Sequence, residues 1–345
     1  MELPPPESQQ EGWTQSRGGP QRQGHIPQNL PLTNNSTLVK IGSPTVYPPI
    51  SIGNTSVFTT GKKSMIVDAS PSNPQVIKEI NVPAITQPAI AGSTVLITTR
   101  DSLRAFDINS GEEIWRQDFQ YRSNPIATFT STAIASTQDR LQRIDTETGD
   151  QQWNVGIETG LVGLAADSQS VVLNQDTGSS SKIIQIDIED GSVEWTNEVE
   201  QSDISPVLDE RVLTVSKYGR LSILSEGSTE LTVESEIQAP ISVAVSGSVV
   251  IVGPGVDGTY AGVDIKNESV LWKSQFFGGG EPLATEDFTV IGVRSEGVLI
   301  LDSHTGNEVH RVSLNQLQNG VVPTAGGLIC FGGPDDSTSL VQYHE

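Results

Sequence analysis

Short apolar runs broken by polar turns fill the chain from about residue 49 onward, and they come back in phase. Stretches such as Val95-Leu96-Ile97 and Val249-Val250-Ile251-Val252 are bounded by Gly, Asn, Asp and Ser, a pattern that favours strands over helices. Several end in one recurring turn: Phe106-Asp107 to Gly111, Ile144-Asp145 to Gly149, Ile186-Asp187 to Gly191 and Leu301-Asp302 to Gly306. Trp115, Trp153, Trp195 and Trp272 follow Asp107, Asp145, Asp187 and Asp264 at a constant spacing of eight. The same ruler places anchors at 68, 107, 145, 187, 225, 264, 302 and 342, in steps of 38 to 42 residues. A repeat of that length, built of short strands and small turns, is one four-stranded propeller blade.

The second repeat is the clearest, with strands expected at 88–90, 94–99, 102–107 and 113–117. Gly111 supplies the positive φ that its last turn needs. Four positions before the anchors stand Leu103, Leu141, Ile183, Leu221, Tyr260 and Val298; one position before stand Val67, Phe106, Ile144, Ile186, Leu224, Val263 and Leu301. These offsets predict buried sites on the third strand of each blade. Val76, Val233 and His310 fall at the Trp spacing in the first, fifth and seventh repeats, and Ser225 replaces the fifth Asp. A polar hairpin, Asp176 to Ser181, lengthens the fourth. The last repeat ends before an outer strand, so residues 37–41 are expected to complete it and close the ring. The predicted fold is an all-β, eight-bladed β-propeller of four-stranded antiparallel blades over residues 13–345, after a tether at 1–12.

These residues resemble the pyrroloquinoline-quinone (PQQ) repeat propeller family, whose signature runs apolar-x-Ala-apolar-Asp-x-x-x-Gly-x-x-x-Trp. Leu103-Arg104-Ala105-Phe106-Asp107 with Gly111 and Trp115 matches it almost fully, and the opening Trp13-Thr14-Gln15-Ser16-Arg17-Gly18 with Gly24 is similar to the start of microbial members. The resemblance implies a repeat Trp docked between neighbouring blades. It also implies two function classes: scaffold propellers, among them lipoproteins that assist outer-membrane protein assembly, and PQQ-dependent dehydrogenases with a ligand in the central channel. The dehydrogenases pair their quinone with a vicinal disulfide and a calcium ion held by Glu, Asn and Asp. A chain with one cysteine, Cys330, excludes that disulfide, so no cofactor is expected and the scaffold class is favoured.

Charge narrows the partners. Asp plus Glu number 42 against 20 Lys plus Arg, a formal net charge of −22, which repels nucleic acid and anionic lipid. The acidity would suit a haloarchaeal member of the family. No apolar run reaches membrane-span length, and the first residues carry no export signal. A surface location through a lost upstream lipoprotein signal and a cytoplasmic one both stay open, with the chain expected to be a monomer.

Candidate chemistry is sparse. His25, His304, His310 and His344 lack metal-ligand spacing. Asp187 to Gly191 lacks the bidentate glutamate of a calcium loop, and Gly61-Lys62-Lys63-Ser64 lacks the earlier glycine of a phosphate loop. Asn34, Asn35, Asn54 and Asn267 head glycosylation sequons, relevant only after export. One distribution points to binding: Lys62, Lys63, Arg100, Arg140, Lys217, Arg220 and Arg294 fall in or beside second-to-third-strand turns. The opposite turns carry Glu112, Glu113, Glu147, Asp150, Glu189, Asp190, Glu268 and Glu308. A basic rim that captures a protein partner is expected there, although Asp101, Asp139 and Glu296 dilute it and turn charges commonly serve only solvation.

Overall fold

The computed structural model describes residues 35–40, 47–70, 75–118, 126–137, 139–158, 160–208, 211–294, 296–312, 320–324, 327–332 and 339–344. The tether, the Trp13 to Gly24 segment, His25 and Asn34 lie outside them. Every regular element described is a strand, and no helix there is long and apolar enough to cross a membrane.

The architecture is an all-β propeller of four-stranded antiparallel blades. Seven blades are each folded from four consecutive strands: blade one (residues 50–80), two (89–118), three (127–156), four (161–200), five (207–234), six (243–275) and seven (283–312). A further four-stranded sheet is composite. Asn35–Lys40 pairs antiparallel with Ser339–His344, followed by Gly327–Gly332 and Gly320–Thr324. The eight-blade expectation counts this composite sheet, whereas the blades folded from one continuous stretch number seven, because the last stretch carries only three strands. The strand expected at 37–41 begins two residues earlier, with Val39 opposite Leu340; Ile41 lies outside the described residues.

Contacts divide the chain into two compact units. One holds blades four to seven; the other holds blades one to three and the composite sheet. Within each unit, apolar clusters bridge successive blades. Ile90, Val95 and Phe106 of blade two pack with Ile50, Val57 and Ile66 of blade one, and Val250 and Val263 of blade six pack with Val215 and Leu221 of blade five. A third strand is therefore covered on both faces. That is why residues one and four before the anchor, of opposite parity, are both buried: Leu103 with Phe106, Tyr260 with Val263. Inner strands are also stitched by side chains, with Thr128 Oγ1 donating to the Ile90 carbonyl (2.9 Å) and Ser246 Oγ to that of Glu286 (2.7 Å).

The repeat motif works as a latch. Asp107 Oδ1 accepts the N–H groups of Asn109 (3.0 Å) and Ser110 (2.7 Å), closing the turn, and Asp145, Asp187, Asp264 and Asp302 do the same. Gly111, Gly149, Gly191 and Gly306 then take φ of +68° to +79°. At Gly149 and Gly306 the indole of the preceding blade lies on that turn. An ideal Cβ on Gly149 would sit 2.8 Å from Trp115 Cδ2, and one on Gly306 would sit 2.6 Å from Trp272 Cδ2. Trp115 Nε1 donates to the Thr146 carbonyl (2.8 Å) and Trp272 Nε1 to that of Ser303 (2.7 Å). Gly227 lies against the Cβ of Trp195, where an ideal Cβ would sit 3.1 Å away, and Trp153 stands opposite Arg143 in its own sheet.

Register corrects two of the degenerate positions. Trp115 pairs with Ala105, two residues before its anchor. The residue paired at that place in blade one is Lys78, opposite Ile66, and in blade five it is Leu231, opposite Ile223. Val76 and Val233 are therefore not the Trp equivalents, because turns two residues longer or shorter displace a count along the chain but not the ladder. His310, opposite Ile300, holds the place expected of it. Lys78 lays its stem over Gly111 as an indole would, with an ideal Cβ there 2.5 Å from Lys78 Cγ. Blade six, following Leu231, has Glu268 at the glycine position, at φ +53°. The hairpin expected in blade four joins Ser170–Asp176 to Ser180–Asp187.

Three substitutions separate backbone strain from the latch. Gly92, at φ +57° with open space around it, should lose only about 1–2 kcal/mol on mutation to Ala. Gly149→Ala adds a collision with Trp115 and should cost about 2–4 kcal/mol. Glu268→Gly should raise stability by about 0.5–1 kcal/mol, since relief of strain exceeds the added unfolded-state freedom. Urea unfolding measures all three, and equal losses for the two alanine variants would contradict the latch.

The caps also set an acid limit. The Ser110 N–H holds the Asp107 carboxyl below its ordinary value of 3.8, and the Thr305 hydroxyl does so for Asp302. A carboxyl depressed in the folded state stabilises above its unfolded pKa, and that contribution disappears as pH falls through the folded one. Stability should hold level down to about pH 4 and fall below it. Asp107→Asn and Asp302→Asn should each flatten part of that fall in urea titrations at fixed ionic strength.

Candidate docking surface

Blades five and six display four large apolar side chains at one end. Tyr218 (50% exposed) lies in the second-to-third-strand turn of blade five, Ile241 (57%) in the connection to blade six, Val256 (78%) in the corresponding turn of blade six, and Phe277 (71%) in the connection to blade seven. The other exposed large apolar residues described lie on outer strands, Ile114, Val193, Leu271 and Val309 singly and Val76 beside Ile77, and scattered side chains of this kind are ordinary for a folded surface.

Backbone hydrogen bonds tie these loops together. The Ala239 N–H donates to the Lys217 carbonyl (2.7 Å), Ile241 to Pro254 (3.2 Å), Val256 to Gln238 (3.0 Å) and Phe276 to Gly258 (2.9 Å). Residues 218 and 277 thus belong to one continuous network of loops, although 59 positions separate them. Phe277 is turned outward by its neighbours. Phe276 packs on Tyr260, ring centroids 5.8 Å apart, while Tyr260 Oη donates to the Gly280 carbonyl (2.6 Å). An ideal Cβ on Gly279 would sit 2.4 Å from that oxygen, so only glycine lets the loop close over the tyrosine. Burial, and after it the nearby Glu281, pushes the Tyr260 hydroxyl far above its ordinary value, keeping it a donor.

Of the cations of the expected rim, Lys62, Lys63, Arg100, Lys217 and Arg294 lie in second-to-third-strand turns, whereas Arg140 and Arg220 are the first residues of third strands. Lys63 pairs with Glu79, Arg220 with Glu234 (2.6 Å), Arg140 bonds Asn154 Oδ1 (3.2 Å), and Lys217 bonds Gln201 and lies 5.1 Å from the Tyr218 ring. Lys62, Arg100 and Arg294 are exposed and have no side-chain hydrogen bond or ion pair among the described residues. Outer-strand ends rise to the same edge as these turns, bringing Glu79, Glu200 and Glu234 beside the cations. In blades five and six the same edge also presents the four exposed apolar side chains. The missed signal was a large apolar residue set among turn formers, as in Tyr218-Gly219, Gly255-Val256-Asp257-Gly258 and Phe277-Gly278-Gly279-Gly280.

In blades four to six the opposite turns carry Glu189 and Asp190 beside the capping Asp187, Glu226 beside Ser225, and Glu268 in the turn capped by Asp264. Asn54 and Asn267 are exposed in turns, the Asn267 amide donating to Asp264 Oδ2 (2.7 Å). Among the described residues no group of three or more His, Cys, Asp or Glu is placed to hold a metal ion. Cys330 lies on a strand opposite Val321 and Val341.

Blades latched by a repeated Asp-Gly-Trp motif define a PQQ-like repeat propeller. The chain belongs to the outer membrane protein assembly factor BamB family, whose sequence profile matches residues 78–274. No curated protein sequence matches it. Among solved structures it is similar to BamB from Moraxella catarrhalis, at 18% identity and TM-score 0.67, covering 89% of this chain and 100% of that one. It is also similar to the quinohemoprotein alcohol dehydrogenase of Comamonas testosteroni (12%, TM-score 0.70, 97% of this chain and 80% of that one). Sqt1 of Saccharomyces cerevisiae matches at 14% and TM-score 0.69, over 90% of this chain and 99% of that one. At such identities the likeness is one of fold.

Tyr260→Phe should cost about 1 kcal/mol through the lost hydrogen bond. It should also speed amide exchange at Gly279, Gly280 and Arg294, whose N–H groups belong to the clamped loop. Unchanged exchange there would mean that Tyr260 fills space without holding the loop.

Proposed function

We propose that the chain is a non-catalytic propeller scaffold that binds a protein partner through the loops of blades five and six. The observation that carries this is the display of Tyr218, Ile241, Val256 and Phe277 on loops held together by backbone hydrogen bonds. Apolar side chains held out from strapped loops do nothing for the core, and covering one is worth about 1–2 kcal/mol. Pre-ordered loops lose little entropy on binding, so more of that energy reaches the complex. The family description, an assembly factor, fits a protein whose work is to hold another. Lys62, Arg100 and Arg294 are peripheral in this reading, influencing approach more than the buried contact.

A photo-crosslinking residue placed at Tyr218, Val256 or Phe277 of the intact chain, expressed in its own cells, tests this. One adduct common to the three positions and absent from Glu189 and Lys266, at the opposite turns, is expected. No adduct, or the same adducts from every position, would overturn the reading.

A further inference from the structure

We infer that the segment docking on the Tyr218–Phe277 surface is cationic as well as apolar: a peptide stretch with large aliphatic or aromatic side chains set among Lys or Arg. This rests on the scaffold reading and adds the partner's chemistry. The loops that surround the four apolar side chains, residues 201–206, 216–219, 235–242, 253–258 and 276–282, carry Asp203, Glu236, Asp257 and Glu281 against Lys217, and Arg294 of the blade-seven turn adjoins the last of them, its N–H donating to the Gly278 carbonyl (3.2 Å). Glu236 is engaged by Lys273. Asp257 is hydrogen-bonded by Thr259, through its hydroxyl and its N–H (3.0 Å), and has no ion pair among the described residues, and Asp203 and Glu281 are exposed with no ion pair among the described residues. Lys217 is occupied by Gln201 and the Tyr218 ring.

Three uncompensated carboxylates thus border an apolar centre, in a chain of formal charge −22. A long-range negative field draws cationic partners and turns away acidic ones. It also opposes docking on anionic lipid, the other class of surface that an apolar patch could meet. Apolar anchors at the centre with charges at the border is the arrangement in which contact area supplies affinity and charge supplies selection. The three carboxylates lie on three different loops, so a cationic segment would meet them on several sides of the anchors.

A random 12-residue peptide display library, selected on the purified intact chain, tests the inference. Binders are expected to combine net positive charge with at least one aromatic or large aliphatic residue. Their affinity should fall at least tenfold with Val256→Asp plus Phe277→Ser, at least threefold with Asp257→Lys plus Glu281→Lys, and further in 1 M NaCl. All four positions are exposed, and an unchanged urea midpoint certifies each variant as folded. Enriched acidic or uncharged sequences that still depend on Val256 and Phe277 would overturn the charge assignment while leaving the scaffold reading intact. Binders indifferent to the surface variants, or no enrichment, would overturn the inference itself, and crosslinking in cells then judges the scaffold reading separately. Phosphatidylglycerol vesicles serve as the second arm: surface-dependent binding to them would replace the peptide with a membrane.

Discussion

Within each unit, the side chain that an outer strand lays on the next blade's turn is the contact on which the stacking depends. Trp115 on Gly149 and Trp272 on Gly306 join a large apolar area to a hydrogen bond, because each indole N–H reaches a carbonyl of the turn it covers. A turn can be covered so closely only if it lacks a Cβ and holds its left-handed conformation without help. Glycine meets the first condition, and the aspartate accepting two backbone N–H groups meets the second. Where the indole is replaced by Leu231, the following turn carries Glu268 at positive φ. The glycine therefore goes with the long side chain that presses on it, an indole or the Lys78 stem, rather than with the turn alone.

This latch leaves the two ends of blades five and six with different work. Third-to-fourth-strand turns are short, capped by their own side chains and polar. The other end must carry each connection from an outer strand back to the next inner strand, past a second-to-third-strand turn. Those longer loops find hydrogen-bond partners in one another, as in Val256 to Gln238 and Ala239 to Lys217. Once the loops are braced, a side chain such as Phe277 can point to water while its neighbour Phe276 holds the base on Tyr260. The polar end is bound up with the blade stack; the braced end is free to differ and to bind.

Much of this was legible in the chain. The spacing of Asp107, Asp145, Asp187, Asp264 and Asp302 located the turns, and the offsets to Leu103, Phe106, Tyr260 and Val263 located buried positions on both sides of the third strands. Counting failed at Val76 and Val233, where turn lengths change and the ladder assigns the place to Lys78 and Leu231. The candidate surface was half legible. Lys217 and Arg220 lie in and beside the turn that displays Tyr218, but their partners, Gln201 and Glu234, come from other segments that no local pattern connects to them.

What the chain alone determined was everything periodic: strand length, the Asp-Gly turn, the bulky residue that follows, and the paired offsets of the core. Each of these depends on neighbours within about ten positions. Which charges are neutralised, which residue covers which glycine, and whether Tyr218, Ile241, Val256 and Phe277 form one surface were decided by tertiary structure. Those outcomes depend on loops up to 59 residues apart meeting at one end of two blades. Backbone pairing and blade stacking bring them together, and no repeat spacing encodes that meeting.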